Sequence, residues 1–259
     1  MNILVTGGAG FIASEVVRQL VHSQRGLVVN VDKLTYAADL KRLKDVEAKS
    51  NYHFVQADIC DQVTLAKLLK MYQIDTVIHA AAETHVDNSI QYPNIFLQNN
   101  TVGTYYLLEA VRAYVEFLPD KKREIFRFLQ ISTDEVYGDL DNLDKAKETS
   151  LYRPSSPYAA SKAAADHFVA SWGRTYKIPI LITYSANNFG SGQHREKLIP
   201  KVISNILQQK TIPVFGSGKQ MRDWIHVEDN ARGIIKVLDH GILGERYNIS
   251  AENLSLIHI

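Results

Sequence analysis

Short apolar runs alternate with amphipathic stretches through the first two thirds of the chain. Runs at 3–6, 27–31, 53–56, 76–79 and 126–131 are apolar at consecutive positions, as in strands covered on both faces. Between them, 11–23, 38–49, 62–72 and 101–118 read as helices, with Leu65, Leu68, Leu69 and Tyr72 recurring at helical spacing. Strand–helix alternation joined by right-handed crossovers predicts an α/β fold, a Rossmann-like doubly wound parallel sheet. The charged, proline-containing stretch 139–157 predicts an exposed loop, with Ser155 or Ser156 capping a long helix over 158–176 and a strand over 179–184. Beyond Asn187 the pattern loosens. Helices near 197–209 and 228–239 and a short strand at 212–215 predict a smaller lobe. The expected division is a nucleotide-binding domain over 1–186 and a partial substrate lobe over 187–259.

Composition narrows the class. The 259 residues are 46% hydrophobic and 22% charged, as in a protein with a sizeable core. A net charge of +1 supplies no field for nucleic acid or an anionic membrane, so neither is an expected partner. Cys60 is the only cysteine, which fits a reducing cytoplasm. No apolar run approaches the ~20 residues of a membrane span, and Met1-Asn2-Ile3-Leu4-Val5 lacks the basic and long apolar regions expected of a signal peptide. The chain stops in an apolar run at 254–259 with no cap or turn.

Candidate chemistry sits at two places. At the first, Thr6-Gly7-Gly8-Ala9-Gly10-Phe11-Ile12-Ala13 joins the first strand to the first helix. Glycines let the backbone approach a pyrophosphate, which the helix N-terminus then attracts. Asp32 ends the second strand near the spacing of a ribose-binding acid, favouring NAD over NADP; Lys33 tempers this. Asp58 has two readings of equal weight, an adenine contact with Ile59 or a cap for the helix near Gln62.

At the second place, Thr133-Asp134-Glu135 follows the fifth apolar run, and Tyr158 and Lys162 lie one helical turn apart. Adjacent carboxylates repel and are costly to desolvate, so a fold has little structural reason to place them there. A neighbouring ammonium is expected to lower the Tyr158 pKa. The phenolate then takes a proton from a sugar hydroxyl as hydride leaves for a nicotinamide. No metal-ligand pattern is present in these motifs.

On these motifs, and on Asp32-Lys33-Leu34-Thr35-Tyr36-Ala37, His85-Val86-Asp87, Ser155-Ser156-Pro157-Tyr158, Glu196-Lys197-Leu198-Ile199-Pro200 and Arg222-Asp223-Trp224, the chain resembles the extended short-chain dehydrogenases/reductases. Within them it is similar to the nucleoside-diphosphate-sugar 4,6-dehydratases. The resemblance extends to about Ile249, and the Thr-Asp-Glu triplet is its most specific part. It implies NAD as cofactor, dTDP-glucose as the expected substrate, and a homodimer through 101–118 and 158–176. It also implies a truncated second lobe, with the hexapeptide 254–259 foreign to it.

The implied roles follow the motifs. Tyr158 is the base for oxidation at C4, helped by Thr133 and Lys162; Glu135 removes the C5 proton, and Asp134 protonates the departing C6 hydroxyl. The cofactor is expected against Gly7, Gly10, Phe11, Ile12, Asp32, Lys33, Leu34, Thr35, Asp58, Ile59, Ala80, Ala81, Ala82, Glu83, Asn99, Tyr158, Lys162 and Asn188. The substrate is expected against Thr84, Thr133, Asn187, Lys197, Leu198, Pro213, Phe215 and Arg222; an ion pair with Asp223 or Glu228 is the other reading of Arg222. Ala13, Thr84, Asn88 and Asn99 depart from the usual residues at their positions. A 4-epimerase or decarboxylase on the same fold, or an NAD-binding fragment without turnover, are the competing expectations.

Overall fold

A computed structural model describes residues 1–140, 145–212, 221–252 and 254–256. Seven strands form the large sheet: β1 (Ile3–Thr6), β2 (Val28–Asp32), β3 (Tyr52–Gln56), β4 (Thr76–His79), β5 (Arg127–Thr133), β6 (Ile180–Ser185) and β9 (Arg246–Ile249). Their order is β3-β2-β1-β4-β5-β6-β9, and every pairing is parallel. The order reverses between β1 and β4, so a crevice opens where the ends of those two strands diverge.

Alternate residues along each strand feed two separate cores, as the two-residue repeat of a strand requires. Leu4, Val77 and Phe128 pack with helices α2 (Gln62–Met71), α5 (Gly103–Glu116) and α7 (Pro157–Tyr176). Their neighbours Ile3, Ile78 and Leu129 pack with α1 (Phe11–His22) and α9 (Val227–His240). Consecutive apolar positions therefore mark a sheet covered on both faces, as expected.

Shorter pieces complete the description. Helices α3 (Val86–Gln91) and α4 (Pro93–Phe96) lead into a π-helical turn, Leu97–Val102, before α5, and α6 (Asp120–Ile125) precedes β5. A 3-10 turn, Asp134–Tyr137, follows β5 directly. Strand β7 (Asn187–Phe189) and helix α8 (Leu198–Leu207) precede β8 (Met221–His226), and β8 also pairs antiparallel with β10 (Leu254–Leu256).

Two expectations are revised. The stretch 38–49 is not a helix but a 3-10 turn at Leu40–Leu43, capped by the Asp39 side chain. Only Leu43 and Val46 are buried there, too narrow an apolar face to hold a longer helix. The chain also crosses back after 187: β9 pairs with β6 and α9 covers the large sheet, although the sequence reading places both in the second lobe. Residues 254–256 pair with β8. The strand expected at 212–215 lies almost wholly outside the described residues.

Candidate active site

The turn after β1 has its shape because no side chain fits there. Gly7 has φ +72°, and a Cβ on it would stand 2.6 Å from the Ala81 Cα. The backbones of the turn and of the segment after β4 therefore approach directly. Gly10 starts α1 without a side-chain cap, so the first-turn N–H groups of a 12-residue helix face the crevice with no side-chain acceptor. That vacancy of acceptors and that close backbone approach fit a dinucleotide pyrophosphate.

Asp32 braces the turn. Its carboxylate accepts from Ala9 N at 2.9 Å and from Leu34 N at 2.8 Å, leaving further lone pairs for ribose hydroxyls. Leu34 contributes this N–H and keeps its side chain out of the cavity, at φ +62°. Lys33 donates to Asn99 and pairs with Asp58 at 3.3 Å. Asp58 does not line the cavity and does not cap α2: its Oδ1 accepts from Cys60 N at 2.9 Å, and the cap is Asp61, which accepts from Thr64 N. The cap reading thus gives way to Asp61, and Asp58 makes a local turn and an ion pair with Lys33.

A cavity of about 450 Å³ runs from this turn to the ends of β5 and β6. It is large enough for a ligand to be enclosed. It brings together Gly7, Gly10, Phe11, Ile12, Asp32, Lys33, Thr35, Ile59, Ala80, Ala81, Ala82 and Asn99 on the nucleotide side. Thr84, Thr133, Glu135, Tyr158, Lys162, Asn187, Asn188, Lys197, Leu198 and Arg222 line the remainder. Pro213 and Phe215 lie outside the described residues. Gln193, His194 and Glu196 also line it and were missed. They belong to a loop without periodicity. The signal available was their adjacency to Lys197, whose Nζ crosses to the Thr84 carbonyl at 3.0 Å.

Tyr158, Lys162 and the acids meet at one end. Tyr158 is 7% and Lys162 4% exposed. Thr133 lies near the phenol, and Glu135 and Asp134 are close enough to act on its charge. The expected lowering of the Tyr158 pKa does not hold in this pocket. Burial first, then Glu135 and Asp134, push it well above its ordinary value. Lys162 does not offset this, because its Nζ donates to the Ile131 carbonyl at 2.9 Å and burial itself lowers the lysine.

Burial acts on both acids of the doublet. Burial, followed by the Glu135 charge, raises Asp134 to about 6. Glu135 is also raised by burial, but Arg222 and Lys197 oppose the shift. Both carboxyls are thus pushed up by burial; Arg222 opposes the shift at both, and Lys197 at Glu135 alone. Arg222 faces this doublet, and its Nη1 donates to the Met221 carbonyl at 2.9 Å.

A buried network beneath the floor was also missed. Thr104 gives its proton to the Asn100 carbonyl at 2.5 Å, so His79 Nε2 must donate to Thr104 Oγ1, at 2.9 Å. His79 Nδ1 then accepts from Thr6 Oγ1 at 2.7 Å. Burial pushes His79 down to about 3, which keeps it neutral. The Thr6 hydroxyl in turn accepts from Ala80 N and Ala81 N, fixing the segment that lines the cavity.

Comparison with known proteins places this site among relatives. Residues 3–250 match the NAD dependent epimerase/dehydratase family. The chain is 53% identical over 253 residues to a dTDP-glucose 4,6-dehydratase of Neisseria gonorrhoeae, covering 97% of this chain and 73% of that protein. It is 50% identical over 262 residues to dTDP-glucose 4,6-dehydratase 1 of Escherichia coli K12, covering 98% and 73% respectively. The crystal structure of a double mutant of the dTDP-glucose 4,6-dehydratase DesIV from Streptomyces venezuelae, with NAD and DAU bound, superposes with a TM-score of 0.92 at 39% identity. That match covers 99% of this chain and 78% of the other.

Proposed function

The chain belongs to the NAD dependent epimerase/dehydratase family, and from that premise we propose that it converts dTDP-glucose to dTDP-4-keto-6-deoxyglucose. The observation that carries the reading is at one cavity end: Glu135 lines it beside the Tyr158–Lys162 pair, and Asp134, next to it outside the lining, is close enough to act on the phenol. An epimerase needs the Tyr158–Lys162 pair alone. A dehydratase also needs an acid and a base for expelling water.

The glycine turn, Asp32 and the uncapped start of α1 would hold NAD. Bound there, NAD supplies a hydride acceptor, a positively charged ring and, later, the returning hydride. Asp32 favours this dinucleotide because a carboxylate repels a 2′-phosphate. Tyr158 takes the proton of the C4 hydroxyl, with Thr133 orienting that hydroxyl and Lys162 supplying positive charge. Glu135 removes the C5 proton, which the new 4-keto group makes acidic. Asp134 gives its proton to the C6 hydroxyl, which leaves as water. No cofactor is consumed overall.

Arg222 and Lys197 would face the substrate diphosphate, for which a guanidinium fork and an ammonium both suit. Arg222 close to the doublet supports this over the ion-pair reading. Asn187, Leu198 and Thr84 complete that wall. We place the enzyme in the cytoplasm, as a homodimer through α5 and α7. Tyr105 on α5 and Tyr176 on α7 are exposed, and Tyr105, Phe168, Trp172 and Tyr176 form one ring cluster across these helices.

Mass spectrometry of products from a panel of nucleotide sugars tests the reading. With NAD present, dTDP-glucose is expected to lose one water and to be preferred over other bases. Epimerised product without water loss, or no change in any nucleoside-diphosphate-glucose, overturns it.

A further inference from the structure

Asp166 is the only acid of α7, and no part of it is exposed. It lies one turn beyond Lys162, as Lys162 lies one turn beyond Tyr158, so the three share a helix face. Two consecutive residues of β5 hold two of these side chains, and the next stands by the third. The Ile131 carbonyl accepts from Lys162 at 2.9 Å, Ser132 Oγ donates to Asp166 Oδ2 at 2.6 Å, and Thr133 lies near the Tyr158 phenol. The strand therefore reads Asp166 in the same register as the two catalytic residues.

Two cations act on Asp166, Lys162 from its own helix and Arg246 from β9. Tyr152 donates to Oδ2 at 3.4 Å, while Oδ1 is buried without a hydrogen-bond partner. Around it stand the phenols of Tyr152, Tyr184 and Tyr137, and the Arg246 guanidinium, which lies over the Tyr152 ring at 5.5 Å. Lys162 is faced by neutral His79 from β4 and by Tyr158 and Asp166 from its own helix. Among the described residues Lys162 makes no direct ion pair, and Asp166, one turn along the same helix face, is the acid whose charge reaches it.

We propose that Asp166 is a positioning residue: its carboxylate, gripped by Ser132, is the counter-charge that keeps the buried Lys162 ammonium charged and in register with Tyr158. This rests on the catalytic reading of Tyr158 and Lys162. It adds a third functional position to the helix, one that touches neither cofactor nor substrate. A buried ammonium without a counter-charge gives up its proton, and a neutral amine no longer brings positive charge to the site.

The test reads Lys162 directly. In protein labelled with ¹³C at lysine Cε, and with the signal assigned through Lys162→Met, the titration midpoint of Lys162 is expected to fall by about one pH unit or more in Asp166→Asn. Asp166→Glu should restore most of it. An unchanged midpoint in a folded Asp166→Asn overturns the proposal. Thermal melting supplies a second reading. Asp166→Asn is expected to lose about 6 °C or more, and Lys162→Met/Asp166→Asn to regain at least half. A double variant no more stable than Asp166→Asn, or unfolded like it, overturns the proposal too. Neither readout uses a substrate, so failure of dTDP-glucose turnover would count against the proposed function alone.

Discussion

Asp134 and Glu135 are neighbours in sequence, and burial raises both carboxyls. Asp134 is raised to about 6, by burial first and then by the Glu135 charge. That arrangement costs stability. The folded pKa lies above the ordinary 3.8, so ionisation opposes folding; the cost is nil below about pH 3.8 and complete above about pH 6. Asp134→Asn is expected to stabilise the protein by ~1 kcal/mol at pH 8, a discounted figure because the group is only partly buried. The gain should vanish below pH 4, as melting curves at the two pH values will show. The same substitution, and Glu135→Gln, should slow water loss by ~10²-fold or more while leaving C4 oxidation intact.

Much of this scale was legible beforehand. Tyr158 and Lys162 were placed together because their spacing along a helix is local and survives folding, whereas the Thr-Asp-Glu triplet joined them through the family resemblance. The direction of the Tyr158 shift was not legible. It depends on how deeply the phenol is buried and where Lys162 points, and both are set by β5, some thirty residues upstream in sequence.

At the scale of elements, β1, β4 and α5 are joined through His79. The imidazole is fully buried and neutral, accepting from Thr6 and donating to Thr104. Its folded pKa, about 3, lies below the ordinary 6.5. The unfolded chain therefore binds a proton first as the pH falls, and stability drops between pH 6.5 and 3 by up to ~1.4 kcal/mol per unit. His79→Leu should flatten that slope. At pH 8 it should cost ~1–3 kcal/mol, since two threonine hydroxyls lose a buried partner. Urea midpoints at pH 8 and pH 5 measure both effects.

The strands of the large sheet up to β6 were legible because a sheet covered on both faces leaves unbroken apolar runs. The turn at 38–49 was misread because Leu40, Leu43 and Val46 mimic helical spacing while Leu40 is exposed. The π-helical turn at 97–102 was invisible because its extra residue leaves no compositional trace. It nevertheless directs Asn99 to the cavity and buries Asn100.

For the whole molecule, the site exists because distant segments converge. The switch between β1 and β4 opens the nucleotide end, and the β5–β6 edge brings the chemistry to the other end of one cavity. The return of β9 to the large sheet escaped the sequence reading because Tyr247 and Ile249 alone form too short a pattern to place. The loop at 193–197 escaped it too, since contacts distant in sequence, such as Lys197 to Thr84 and Glu196 to Tyr36, bring that loop against the cavity. Among the described residues no helix is long and apolar enough to cross a membrane.

A closed redox cycle within one cavity makes a demand that no open one does: the hydrogen removed from C4 must come back to the same sugar. dTDP-glucose carrying deuterium at C4, incubated with the protein and NAD and read by NMR, follows that atom. The account predicts deuterium at C6 of a 4-keto-6-deoxy product, with solvent hydrogen entering only at C5. Deuterium still at C4 of an epimerised sugar, or lost to free reduced cofactor, would contradict it.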